Sequence, residues 1–322
     1  MVRARINPIG ARPFGWPDGA QGLMTFRETA MYETANSRLI GALYLAPALL
    51  FVLMFTVFPL SQMIWMSFHN WSLIEPPKWV GFANFIRAYN DRQFWVSLGF
   101  TLQYTLYITA ILMIGGYLLA LLLADNTPLR RVTRAMVFLP VVIGLGVSSL
   151  LWYWLFSYNF GLVNRLLVDL GVVSDPIVWF GEDADRALFA VIVSVVWKVI
   201  GFGMLLFVAA IQAIPDEVNE SATVDGATYW QRIRMITLPL TYRTILLVTL
   251  VSAIGSLLAF DQFFLMTAGQ PFNRTASSVL WIYLNSFPYL KLGYGAALSL
   301  VLAVIVLVLT VVQVRLTRGS HH

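Results

Sequence analysis

The chain has 322 residues, 59% of them hydrophobic and 11% charged, and a formal net charge of +5. A soluble domain carries roughly 25% charged residues, so a water-soluble core of this composition is excluded and a lipid bilayer is the solvent that suits it. There is no cysteine, which excludes disulfides, iron–sulfur clusters and thiolate zinc sites, and the basic residues are scattered among apolar stretches rather than gathered for nucleic acid.

Residues 1–38 are polar and rich in Gly, Pro and Arg. They are too long for the charged region of a signal peptide, and no small-residue cleavage site follows the first apolar stretch. They read as a cytoplasmic leader, with 24–37 either a short surface helix or a disordered tail. Six stretches then reach the roughly 20 apolar residues needed to cross the hydrocarbon core. They cover 39–68, 98–124, 135–156, 187–213, 245–268 and 293–314. Backbone polar groups cannot go unpaired in lipid, and no period-2 alternation competes, so all six are predicted helices. The fold class is an all-α integral membrane protein with about six transmembrane helices. The transmembrane domain covers 39–316 with a long internal loop at 213–244. In the tail 317–322, the run Arg318-Gly319-Ser320-His321-His322 reads as a tag remnant. That leaves His69 as the one other histidine, too few for a histidine-based metal site or general base.

Orientation follows from Lys and Arg. With both termini in the cytoplasm, thirteen of them fall on inner segments and seven on outer ones, and Lys198 lies within a span.

The loop 213–244 has a physical reading of its own. Pro215 suits the first turn of a helix, where a missing N–H costs nothing. Asp216 and Glu217 follow at the positive end of the helix dipole. Gly226 tolerates the left-handed conformation of a helix C-cap. A second short helix is predicted from about Ala227, with Trp230, Ile233 and Thr237 on one face, Arg232 away from it and Pro239 ending it. Two short helices around a glycine turn would then lie along the membrane. An ordinary amphipathic connector is the plain alternative.

The run Glu220-Ser221-Ala222-Thr223-Val224-Asp225-Gly226-Ala227, followed by Ile236-Thr237-Leu238-Pro239, resembles the EAA loop of binding-protein-dependent ABC importer permeases. The pattern there is Glu-Ala-Ala, then Asp-Gly-Ala, then Ile-x-Leu-Pro. Ser221 replaces the usual Ala, and a small residue is kept. Four further fragments resemble the carbohydrate, maltose-permease-like branch. They are Trp79-Val-Gly-Phe-Ala-Asn-Phe85 with Phe94, then Phe138-Leu-Pro140 with Trp152, then Gly161-Leu-Val-Asn164, and Thr267-Ala-Gly-Gln-Pro271. Gln270 stands where that branch usually has a second glycine. The order of these fragments along one chain carries the resemblance.

The resemblance implies a type I ABC importer permease fold in the bacterial cytoplasmic membrane, moving a sugar or oligosaccharide; Lys198 and the several outer arginines leave room for an acidic one such as alginate oligomers. It implies ATPase coupling by Glu220, Ser221, Ala222, Asp225, Gly226, Ala227, Leu238 and Pro239, and no catalytic residue. It also implies a second homologous permease, two copies of an ABC ATPase and a solute-binding protein as partners. The chain's only lysines are Lys78, Lys198 and Lys291, and none follows a glycine as a phosphate-binding loop requires. ATP and Mg are therefore expected on the partner ATPase, with no cofactor and no metal in this chain.

Within the spans, Lys198 is either a path residue or a side chain that snorkels or meets a backbone carbonyl. Asp261 is a path-lining acceptor or an interfacial residue satisfied by water. Trp152, Trp197, Phe260, Phe263 and Tyr283 are candidates to stack on a sugar, against a reading as interfacial anchors. Gly115, Gly116, Gly201 and Gly203 are expected to permit close helix packing. Two other classes compete. A secondary transporter would need repeated halves or a coupling carboxylate pair, and an intramembrane enzyme would need clustered acids or a usable His or Cys; neither pattern is seen.

Overall fold

The computed structural model describes residues 40–72 and 74–318, with side chains to Arg315. The leader 1–38 and the residues 319–322 of the tag remnant lie outside the described residues. Two compact units divide the chain, Met1–Gln62 and Met63–His322.

Helix α1 runs Ile40–Ser67, carries no charged residue and supplies the described part of the first unit. A π-helical turn at Leu53–Val57 precedes Pro59. The same device recurs later, where a π turn at Ile233–Thr237 precedes Pro239. In each, a residue's N–H bonds five positions back, Phe58 to Leu53 and Leu238 to Ile233. The wider turn relieves the clash between a proline ring and the carbonyl four residues earlier, so the helix survives its proline.

In the second unit, the antiparallel pair β1 (His69–Asn70) and β2 (Lys78–Trp79) places His69 opposite Trp79. Helix α2 (Ala83–Asn90) follows, and its Asn84 amide donates to Ser67 O and His69 O, each at 2.9 Å. The long helices α3 (Arg92–Leu123) and α7 (Ala184–Gln212) pack along each other. Asp91 and Asp183 cap their N-termini through side-chain oxygens. This is why α3 starts at Arg92, earlier than the predicted 98. Near the middle, a Cβ on Gly116 would lie 3.4 Å from Met204 N, so the two backbones touch, as the glycines predicted. Helix α10 (Tyr242–Leu257) packs on α3, and Val248 joins Tyr117, Met204 and Phe207 in one core cluster. Helices α12 (Ser278–Ser286) and α13 (Leu292–Arg318) complete the unit.

Among the described residues, four helices are long and apolar enough to cross a membrane, and up to six spans result if each of two bent pairs counts as one. The bent pairs correct two predicted elements. The predicted third span is a pair of helices bent at a break, not one continuous helix. Helix α4 (Pro128–Phe138) passes into a 3-10 turn at Leu139–Val142 and meets α5 (Leu145–Leu155) at 99°. Pro140 removes an N–H, Ile143 is extended and Gly144 caps the next helix. The second correction falls on the loop. Its second helix, α9 (Tyr229–Leu240), runs through Pro239 and stops at Thr241, where α10 leaves at 67°. The π turn also breaks the face predicted for Trp230, Ile233 and Thr237: Thr237 is buried while Trp230 is exposed.

The predicted fifth span of 245–268 ends early as well. Helix α10 stops at Leu257, and α11 (Asp261–Met266) is separate. The Ser277 hydroxyl donates to Ala259 O at 2.6 Å, where the chain has left the helix. The connection between α5 and α7 contains the short helix α6 (Leu162–Asp169). Buried Asn164 organises it, accepting from Ile177 N at 3.1 Å and the Trp179 indole at 3.0 Å and donating to Ile177 O at 2.9 Å.

Candidate functional site

The loop after α7 forms a compact helical corner. Pro215 is the N-cap of α8 (Asp216–Val224), one position earlier than predicted, with Asp216 and Glu217 in the first turn. Gly226 has φ 76° and closes the helix. Its N–H bonds Thr223 O at 3.1 Å, and Ala227 N bonds Ala222 O at 2.9 Å. These two bonds are the Schellman arrangement, which satisfies the last carbonyls of a helix and needs a left-handed residue at Gly226.

Thr228 then caps α9. Its hydroxyl accepts from Gln231 N while the Gln231 side chain accepts from Thr228 N at 2.7 Å. Arg232 Nη1 donates to Thr223 Oγ1 at 3.2 Å and ties the second helix to the first. Sequence reasoning missed this cross-tie, because Arg232 falls away from the face predicted to pack. The Thr-x-x-Gln capping box at Thr228 is the signal in the sequence that points to this second helix start.

The corner buries Ala222 and leaves Glu220, Ser221, Val224 and Asp225 exposed. Val224, an apolar residue, is 88% exposed. Ala227 is half-buried, and Leu238 and Pro239 are exposed on α9. The eight residues named for coupling therefore fall on one continuous turn and its return helix.

The predicted path residues do not assemble into one lining. Lys198 is 8% exposed, and its Nζ donates to Val141 O at 3.3 Å, the carbonyl contact of the plainer reading. The Trp197 ring meets that of Trp152 edge-on, with centroids 5.7 Å apart. The Trp152 indole N–H is buried with no hydrogen-bond partner among the described residues. Phe260 stacks on Phe264 at 5.2 Å, and Tyr283 packs against both. Asp261 is half-exposed in the first turn of α11. Phe263 is fully buried between the rings of Phe100 and Tyr104 and belongs to the core.

A cavity of about 210 Å³ opens instead between α3, α7 and α10. Its walls are apolar, with Phe202, Leu145 and Val199 among them, and its polar groups are Tyr104, Ser252, Ser256 and Gln262. The Gln262 amide donates to the Tyr104 hydroxyl at 3.0 Å. None of the predicted path residues lines this cavity. The signal available in sequence was Ser252 and Ser256, four residues apart on one face of an apolar helix. Among the described residues no group of acids and histidines is placed to hold a metal ion.

Comparison with known proteins follows the same lines. Residues 116–321 match the family model of the binding-protein-dependent transport system inner membrane component. The chain is similar to the trehalose/maltose transport system permease protein of Thermococcus litoralis, 34% identical over 87% of this chain and 94% of that protein. It is also similar to the sulfoquinovosyl glycerol transport system permease protein of Agrobacterium fabrum, 32% identical over 88% of this chain and 92% of that protein. Among solved structures, a chain of a bacterial ABC transporter involved in the import of the acidic polysaccharide alginate superposes with a TM-score of 0.79 at 25% identity. That match covers 91% of this chain and 100% of the other. The described helices, the corner at Gly226 and these matches agree, and the chain belongs to the binding-protein-dependent transport system inner membrane component family.

Proposed function

We propose that this chain is the permease subunit of an ATP-driven importer for a sugar or small glycoside. A solute-binding protein delivers the substrate, a second homologous permease completes the path, and two copies of an ABC ATPase supply the energy. Both termini and the α8–α9 corner lie on the cytoplasmic side in this reading. The observation that carries it is the corner itself. A turn closed at Gly226 and cross-tied by Arg232 presents Glu220, Ser221 and Val224 outward. Such a corner docks on a partner and transmits displacement, which a flexible connector would absorb.

Family relatives named for trehalose/maltose and lactose transport support the sugar class. The cavity supports a neutral sugar over an acidic one. Its polar groups are hydroxyls and an amide, no cationic residue lines it, and Phe202 offers a ring face. Lys198, near the middle of α7, is engaged with Val141 O.

The test is reconstitution of the chain with its genetic neighbours in proteoliposomes and uptake of labelled sugars. Uptake is expected to need ATP hydrolysis and the binding protein. Uptake that survives an inactive ATPase and collapses with an ion gradient would replace this reading with a secondary transporter.

A further inference from the structure

Two side chains of α7 hold backbone carbonyls of neighbouring segments, one at the C-cap of α3 and one in the broken third span. At the C-terminal end of α7, Gln212 Nε2 donates to Ala124 O at 2.6 Å, in the link that leads into α4. Near the middle, Lys198 Nζ donates to Val141 O at 3.3 Å, in the 3-10 turn where the span breaks. At a helical rise of about 1.5 Å per residue, the two ties stand roughly 21 Å apart along α7. Between them, a Cβ on Gly201 would collide with Val137 O and the Phe138 backbone, so α4 lies directly on the α7 backbone there.

Lys198 is costly at this place. It is nine-tenths buried, and among the described residues no carboxylate lies within ion-pair distance of it. A buried ammonium without a counter-ion is retained only where something else holds it, and an aliphatic side chain would pack the same volume more cheaply. What the ammonium meets is the carbonyl end of a half-helix. Pro140 and the break at Gly144 leave carbonyls there without helical partners, and the helix dipole makes that end negative.

We propose that Lys198 is a positioning residue for transport, clamping the broken span to α7. α8 begins only a few residues beyond the end of α7. A displacement of the corner then moves α7 and the 99° bend as one body. This inference rests on the coupling reading of the corner.

The chain has no cysteine, so spin labels can be placed cleanly. Labels at Val142→Cys and Phe189→Cys, both exposed, report the distance from the break to α7 in the assembled transporter, without nucleotide and with ATP trapped. The parent is expected to keep one distance in both states. In Lys198→Met the distance is expected to broaden or to differ between states. ATP consumed per substrate is expected to rise by about tenfold, the order by which losing one charged hydrogen bond shifts a two-state equilibrium. Lys198→Arg is expected to restore both. Lys198→Gln, which keeps a donor without the charge, carries the test if the methionine variant does not assemble. A merely structural role would lower yield and leave the ATP-to-substrate ratio of the assembled fraction unchanged. An unchanged distance and ratio in Lys198→Met overturns the clamp, as does a parent whose distance changes between states. Coupling that survives Gly226→Val overturns the reading of the corner instead, and the label distances still decide the clamp.

Discussion

The hydroxyls of Tyr117 and Thr241 lie 3.0 Å apart, joining α3 to the bend between α9 and α10. The Thr241 hydroxyl donates to Thr237 O at 2.7 Å, so Tyr117 is the donor between the two. Both residues are buried. Tyr117→Phe removes one donor and leaves Thr241 satisfied, and it is expected to cost about 1 kcal/mol. Thr241→Val also strands the Tyr117 hydroxyl and is expected to cost about 2 kcal/mol or more. Thermal unfolding of the detergent-solubilised protein checks the order. An unchanged stability in Tyr117→Phe would show that the bond contributes nothing to the bend.

Gly226 has φ 76°, and a Cβ there would meet nothing within 4 Å. The obstacle to substitution is therefore the backbone and not space. Gly226→Val is expected to cost about 1–2 kcal/mol locally and to reorient α9, lowering transport per ATP with membrane insertion intact. Gly226→Asn, which tolerates the left-handed region, is expected to retain most transport. Parallel uptake and ATPase assays separate the two variants.

Gly201 and Gly255 make a controlled pair. A Cβ at Gly201 meets the backbone of α4, while one at Gly255 meets nothing within 4 Å. Gly201→Ala is expected to destabilise the protein by about 2 kcal/mol through forced separation of the helices. Gly255→Ala is expected to be neutral or stabilising, since it gains helix propensity. Their melting temperatures in detergent give the comparison.

Asp91 collects four donors. One oxygen caps α3 through Gln93 N and Phe94 N, and the other accepts from the Trp281 indole at 3.0 Å and the Tyr294 hydroxyl at 2.6 Å. Arg87 lies over the Tyr294 ring, 4.3 Å from its centroid. One carboxylate thus joins the start of α3 to α12 and α13. Asp91→Ala is expected to cost about 3 kcal/mol, since it removes a cap and two charge-assisted bonds at a half-exposed site. Tyr294→Phe is expected to cost about half as much. Hydrogen exchange should show the loss concentrated in the first turns of α3.

The helical membrane class and the order of the apolar segments were legible because apolar length is a local property. So was the turn at Gly226, since Pro215, Asp216 and Gly226 each act within one helical turn of their own position. The bends were not legible. The composition of 135–156 is almost wholly apolar apart from Ser148 and Ser149, and only the tertiary packing, with α7 approaching at Gly201 and Lys198, shows that Pro140 marks a 99° break. Pro239 misled for the opposite reason, because the π turn before it lets the helix continue.

Residue type marks the candidate path residues, and it says nothing about facing direction. Phe263 and Tyr283 are both aromatic and lie in neighbouring elements. One fills the core beside Tyr104, and the other packs with Phe260 and Phe264. Gln262, between Asp261 and Phe263 in sequence, is the residue that reaches the cavity.

The sequence by itself determined the solvent of this protein, the order of its helices and the corner at Gly226, because each depends on apolar content or on backbone freedom at a fixed spacing. The tertiary structure alone decided that Lys198 meets a carbonyl, that Arg232 binds the two loop helices together, and that Tyr104 and Gln262 share a cavity. Those facts are contacts between distant segments, such as residues 104 and 262, and only packing brings them within hydrogen-bond range.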